Sequence, residues 1–354
     1  DAYVADLNKK YQALRETMEE QQAELVSLQE ARDKSLQLDW TSYQPVVPHQ
    51  LGVHVIPSIP LEKIIPYIHW TFFFQAWKLT GKFEEISRIH GCDSCRAMWL
   101  AGFPEKDRAK AAEAMQLFKD AQRLLNRLVE EKVEYSKAVY GFFPAARKGD
   151  DIWIQDIRIP TLRQQVKREG SYKSLADYIM PASAGKTDYI GAFAVTGGAG
   201  YESLKAKFEQ ENDTYRMMLL QTLTDRLAEA TAEYLHEKVR KEYWGYAPEE
   251  QLSIDDLFKV KYQGIRPAIG YPSLPDQLLN FELDKLLDVS QIGIQLTENG
   301  AMMPTASVSG FYLAHPQSEY FMVGKICEDQ AQDYAARRGL SEEVIRKVLS
   351  KNIR

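Results

Sequence analysis

Within Asp213–Trp244, Tyr215, Leu219, Leu223, Leu227, Ala230 and Tyr234 fall on one stripe at steps of three and four residues, the longest helical pattern in the chain. Runs of strand character lie around it. Ala138–Pro144 and Ile152–Ile159 flank Arg147-Lys-Gly-Asp-Asp151, a turn signal that predicts a hairpin. Tyr189–Thr196 is a third apolar and aromatic strand, and it stops at Gly197-Gly198. Ser307–Leu313 and Tyr320–Ile326 read as two further strands about the turn Ala314-His-Pro-Gln-Ser318, ahead of a terminal pair of helices. Helices among neighbouring strands in this order predict an α+β fold with an antiparallel sheet.

A second long helix is predicted over residues 105–135, where Ala114, Leu117, Leu124, Leu125 and Leu128 repeat with the same period. Leu61–Gly81 also reads as helical and holds Tyr67-Ile-His-Trp-Thr-Phe-Phe-Phe74. Before it, Pro45, Pro48, Pro57 and Pro60 predict an extended clasp over residues 39–60. At the start, Val4, Leu7, Tyr11, Leu14, Met18, Leu25 and Leu28 form a heptad-like stripe that Gln21 interrupts. We expect a long N-terminal linker helix over residues 1–37, followed by one domain over residues 38–354, rather than a coiled-coil dimer.

The formal charge of −6 argues against a nucleic-acid partner, since phosphate binding needs a cationic footprint. The longest apolar runs fall far short of the roughly 18 residues needed to cross a bilayer, so no membrane partner is expected. Three cysteines are too few for a disulfide scaffold and point to a reducing compartment, the cytoplasm by default. The chain opens on Asp1 with no leader-like pattern, and it reads as a piece of something longer.

Gly264-Ile-Arg-Pro-Ala-Ile-Gly-Tyr-Pro272 packs two prolines, two glycines, one arginine and one tyrosine into a stretch that cannot be regular helix or central strand. It is predicted to be a shaped loop. Proline cuts the freedom of the unfolded loop, and glycine lets a ligand approach the backbone, so the segment suits a preorganised ledge. Arg266 offers a planar fork for a carboxylate. The competing reading is a rigid connector whose arginine pairs with a nearby acid.

Arg266-Pro-Ala-Ile-Gly-Tyr271 resembles the S-adenosylmethionine signature of the activation domain of cobalamin-dependent methionine synthases, and the likeness spreads along the chain. Lys186–Gly198, Asp225–Ala230, Ala232–His236, Tyr243–Pro248, Ala306–Gly310 and Asp333–Arg338 resemble family stretches in family order, with coverage from about Leu38 to near the C terminus. The resemblance implies a C-shaped α+β domain with a central twisted antiparallel sheet and surrounding helices. It implies a module that binds S-adenosylmethionine and presents its methyl group to cobalamin held by another domain of the same enzyme, with a flavodoxin-like electron donor. It also implies a ligand site at Arg266, Ala268, Gly270, Tyr271, Glu229, Tyr320 and Phe321, with His69 where better-known members carry aspartate. No side chain is expected to act as catalyst, because the task is to hold a sulfonium in line with cobalt.

Two positions depart from the family. His69 replaces that aspartate, and Val260 replaces a glutamate six residues before the arginine. Both changes delete a carboxylate, and a histidine near its ordinary pKa is mostly neutral at pH 7, so weaker binding is expected. A second reading stays open: a docking-only or stand-alone reactivase module for a corrinoid protein, with weak or lost S-adenosylmethionine binding. No Asp-x-His-x-x-Gly cobalamin motif, serine triad or phosphate loop occurs. Along the long helix Glu229, Glu233, His236 and Arg240 share a face, and only Glu229 is read as functional. His90, Cys92 and Cys95 have spacing compatible with zinc or redox chemistry, but no fourth ligand is evident and a pair of thiols on a short loop is the favoured reading.

Overall fold

The computed structural model describes residues 23–354. Its centre is a six-stranded antiparallel sheet in the order β4-β3-β2-β5-β8, with β1 also paired to β2. The strands are β1 Gly52–Ile59, β2 Ser136–Lys148, β3 Asp151–Ile154, β4 Ile157–Pro160, β5 Asp188–Thr196 and β8 Ser307–Tyr312, while β6 Gln295–Leu296 and β7 Met302–Met303 form a small separate ribbon. β2 is long enough to share one edge between two partners. Its first half pairs with β1 and Ala145–Lys148 pairs with β3, while β5 runs along the opposite edge.

The apolar runs are buried on both faces because the sheet is covered on both. Along β5, Phe193 and Val195 enter one core, and Ile190, Ala192 and Ala194 enter the other. The first core lies under the helices Glu105–Glu130 and Thr214–Lys238, and the second under the helix Leu279–Leu287. Asp213 starts the long helix by accepting the Arg216 N–H at 2.8 Å. That helix ends in a π turn at Val239–Tyr243, where Arg240 is drawn aside onto Glu250 and over the Tyr262 ring.

Several predicted elements take a different form. The extended clasp is in part a true strand, β1, whose register shifts between Ile56 and Ile59, where Pro57 has no N–H to donate. The stretch Leu61–Gly81 breaks into Leu61–Ile64, a 3₁₀ turn at Ile65–Tyr67 and Trp70–Ala76, as Pro66 lacks the donor a continuous helix needs. Ile152–Ile159 reverses at Gln155-Asp156 and becomes β3 and β4, with Gln155 at φ 56°, a residue type that gives no turn signal. Tyr320–Ile326 is not a sheet strand. The outer edge of β8 is already taken by the loop after Gly264, so Tyr320–Ile326 runs unpaired to the sheet.

Residues 1–22 of the predicted N-terminal helix lie outside the described residues. Residues 23–27 are extended, with Leu25 bridged to Val166 and the Val26 N–H on the Gln165 carbonyl, and helix begins only at Leu28–Asp33. The helices Asp93–Ala101, Tyr201–Gln210 and Leu279–Leu287 were not expected from the sequence.

Candidate functional site

Ile265–Ile269 lies against the edge of β8 as an irregular strand. Ile265 and Leu313 exchange backbone hydrogen bonds, the Phe311 N–H donates to Pro267, and the Ile269 N–H donates to Ser309. Pro267 gives up nothing in this arrangement, since its carbonyl alone is used. Gly310 is what lets the two backbones meet: a Cβ there would sit 2.2 Å from the Pro267 carbonyl oxygen. In an antiparallel pair of this type the residue between the bonded ones turns its own N–H and C=O outward. That residue is Ala268, whose N–H finds no acceptor among the described residues.

On its outward side the loop closes a cavity of about 730 Å³, within the usual range for small-molecule sites. Arg266, Ala268, Tyr271, Tyr320, Phe321, Glu229 and His69 all line it, together with Val260. Gly270 does not. It turns the ledge at φ 88°, a conformation that favours glycine, and donates its N–H to the Leu274 carbonyl.

The Arg266 guanidinium donates to the Ala232 carbonyl and to Glu233 Oε2, each at 3.0 Å, and is nearly buried. Burial works against its charge, but Glu233 outweighs it and holds the pKa well above the ordinary value. Of the five N–H groups of an arginine, two are used here, and the rest find no acceptor among the described residues. Tyr320 fixes the backbone: its hydroxyl accepts the Arg266 N–H at 2.9 Å and lies 3.0 Å from the Tyr262 hydroxyl. Tyr271 donates its hydroxyl to Glu229 at 2.6 Å.

Glu233, on the same helix face as Glu229, is a further residue of the cavity wall. It lines the cavity one turn beyond Glu229, and its Oε1 is buried with no partner among the described residues. A lone acid on a helix face carries no such signal; its pairing with Arg266 is visible only once the loop is docked. His69 precedes the helix Trp70–Ala76 without capping it, and its ring lies between Phe72 and Phe258 at 4.4 and 4.3 Å. Burial lowers its pKa, so it is neutral, and its Nδ1 also lacks a partner. Val260 is a β-branched residue in the left-handed region at φ 55°, a strained backbone on the cavity wall.

The walls therefore carry two carboxylates, Glu229 and Glu233, and two guanidiniums, Arg226 and Arg266, among mainly apolar neighbours. Phe72, Val260, Tyr271 and Met322 rim the opening with large exposed side chains. None of His90, Cys92 and Cys95 lines the cavity. Those three are close together elsewhere, and Cys92 and Cys95 belong to the start of a helix rather than to a loop. No helix among the described residues is long and apolar enough to cross a membrane.

A sequence profile described as the activation domain of vitamin B12 dependent methionine synthase matches residues 60–339. A solved structure described as the MetH reactivation domain bound to AdoHcy is 42% identical in sequence, with a TM-score of 0.83, over 93% of this chain and 98% of that one. The profile covers most of the chain, and the likeness in structure covers nearly all of it. The chain belongs to the family of activation domains of vitamin B12 dependent methionine synthases.

Proposed function

We propose that this chain binds S-adenosylmethionine in the cavity and presents its methyl group to cobalamin held by a separate domain, supporting reductive methylation with an electron from a flavodoxin-like donor. The observation that carries this reading is the pairing of Arg266, with donors to spare, beside the partnerless Oε1 of Glu233. An amino-acid carboxylate suits the first and an ammonium the second. The free N–H of Ala268 adds a backbone donor on the same wall. Methyl loss converts S-adenosylmethionine into AdoHcy, the ligand named for the similar structure, so the two share adenosyl and amino-acid parts.

The two carboxylates missing at His69 and Val260 favour a docking-only module, but Glu229 and Glu233 still put two carboxylates on the cavity wall. The exposed apolar rim of Phe72, Val260, Tyr271 and Met322 suits the face of a partner that covers the opening. The protein's contribution is positional: it holds the ligand's charged end deep and leaves the transferring group near the rim. Calorimetric titration with S-adenosylmethionine tests it. Saturable binding is expected, and no detectable heat at millimolar ligand would sink the proposal.

A further inference from the structure

His90, Cys92 and Cys95 stand apart from the cavity, and nothing in the proposed reaction uses them. Their side chains nevertheless converge. One donor atom from each lies within 4.8 Å of the other two. The convergence is built into the local fold: Cys92 caps the helix Asp93–Ala101, and its sulfur accepts the Cys95 N–H at 3.3 Å, which brings the first turn of the helix back over it. Both cysteines are free, as is Cys327, which lies away from the cluster with its thiol directed to the Val26 carbonyl.

We propose that His90, Cys92 and Cys95 form a site for a thiophilic divalent cation, zinc, with a fourth position open to solvent. Two thiolates and one imidazole are the donor set that zinc takes in preference to hard cations. With Zn–S near 2.3 Å and Zn–N near 2.0 Å, tetrahedral geometry needs donors about 3.5 to 3.8 Å apart, and the exposed His90 and half-buried cysteine side chains reach that spacing by rotation about their own bonds. A peptide N–H donating to the Cys92 sulfur supports a negatively charged ligand.

A second observation points the same way. The helix that Cys92 caps has no buried residue, and a helix this short is marginal in water without tertiary packing. Trp99 and Phe103 tie down its far end, with rings 4.7 Å apart, and Phe103 continues onto Phe83. At the near end, where the three donors meet, Ile89 packs on the core just ahead of His90, but no aromatic pair of the described residues holds the first turn itself. A bound cation would join His90, before the helix, to Cys95 in its first turn and so staple that end.

The test uses the whole chain, reduced and stripped of metal with a chelator. Cobalt(II) titration should reach one equivalent with thiolate-to-metal charge-transfer absorption, and zinc should displace it. Zinc affinity, measured against a chromophoric chelator, should fall by about 100-fold or more in Cys92→Ser and Cys95→Ser and by about tenfold in His90→Ala, as expected when a direct ligand is lost. Cys327→Ser should bind as the parent does. Zinc should also slow hydrogen exchange at the amides of residues 93–101, a response that loose surface binding would not give. Absence of the charge-transfer band, unchanged affinity in the Cys92→Ser/Cys95→Ser double variant, or a Cys92–Cys95 disulfide that persists under reductant and blocks metal would each overturn the site.

Discussion

Two buried arginines in this molecule face opposite situations. Arg163 donates from Nε, Nη1 and Nη2 to Asp150, Asp177 and the Tyr172 carbonyl, so every N–H of its fork is used. Arg32 and Arg147 add further pairs to the same two aspartates from the outside, and Arg163, Asp150 and Asp177 themselves are closed to solvent. Arg266 makes two bonds and lines an open cavity, next to a carboxylate oxygen with no partner. Low exposure, 2% for the Arg163 side chain and 12% for that of Arg266, thus serves different ends. A saturated fork organises the fold, joining the β2–β3 turn to the segment after β4, whereas an unsaturated one at a cavity is a reserve of hydrogen bonds for something that arrives.

The largest expected effect separates the two. Arg163→Met leaves Asp150 and Asp177 buried without their main partner and should destabilise the fold by about 3–5 kcal/mol in urea unfolding. Arg266→Ala should lower stability less, and should weaken S-adenosylmethionine binding by about 1.5–3 kcal/mol, roughly 10- to 150-fold, the range for a charge-assisted hydrogen bond. An unchanged dissociation constant with a large stability loss would make Arg266 structural like Arg163, and the contrast would fail. A smaller gain is expected from His69→Asp. The position precedes the helix Trp70–Ala76 with no side-chain cap, so aspartate should add about 0.5–2 kcal/mol of stability as an N-cap, and a new carboxylate on the wall should tighten ligand binding by up to about tenfold. Calorimetry and thermal melts report the two effects separately.

The contrast also explains what could be read in the sequence. The long helices, β2, β5 and β8 were legible, because burial against both faces of a sheet leaves a strong periodic or continuous apolar signal. The loop at Arg266 was legible as irregular, since its prolines and glycines exclude regular pairing, but its docking along β8 was not. That docking in turn hid the fate of Tyr320–Ile326, a run with strand composition and no free edge to join. Glu233 was missed for a related reason: whether an acid on a helix face is solvated or aimed into a cavity depends on what packs over it. The resemblance to a known family supplied Glu229, Tyr320 and Phe321, which no local pattern singles out. No pattern marks Arg163, because Asp150 and Asp177 are separated from it in sequence and a saturated cluster has no motif.

The smallest expected effect distinguishes the two regions by pH. His236, on the same helix as Glu233, is fully buried and stacked on Tyr312 at 5.2 Å, with neither ring nitrogen partnered among the described residues. Burial first, then the positive charges of Arg240 and Arg266, depress its pKa well below the ordinary value. The unfolded chain therefore takes up this proton before the folded one does, so the stability that depends on a neutral His236 is complete above about pH 6.5 and is lost as pH falls below it. In the Arg163 region burial raises the Asp150 pKa, but Arg163 and Arg32 more than reverse that, and its contribution is lost only as pH falls below about 3.8. Asp188, pushed up to about 6 by burial, acts in the opposite sense over the intervening range, which makes the wild-type curve alone a poor test. Comparison with His236→Phe isolates the group, since phenylalanine keeps an aromatic ring at the position and removes no hydrogen bond. Between pH 6.5 and 5.5 the parent should lose about 1 kcal/mol more than the variant, close to the limit of one titrating group per pH unit. Equal losses in urea unfolding at the two pH values would mean that burial does not hold His236 neutral.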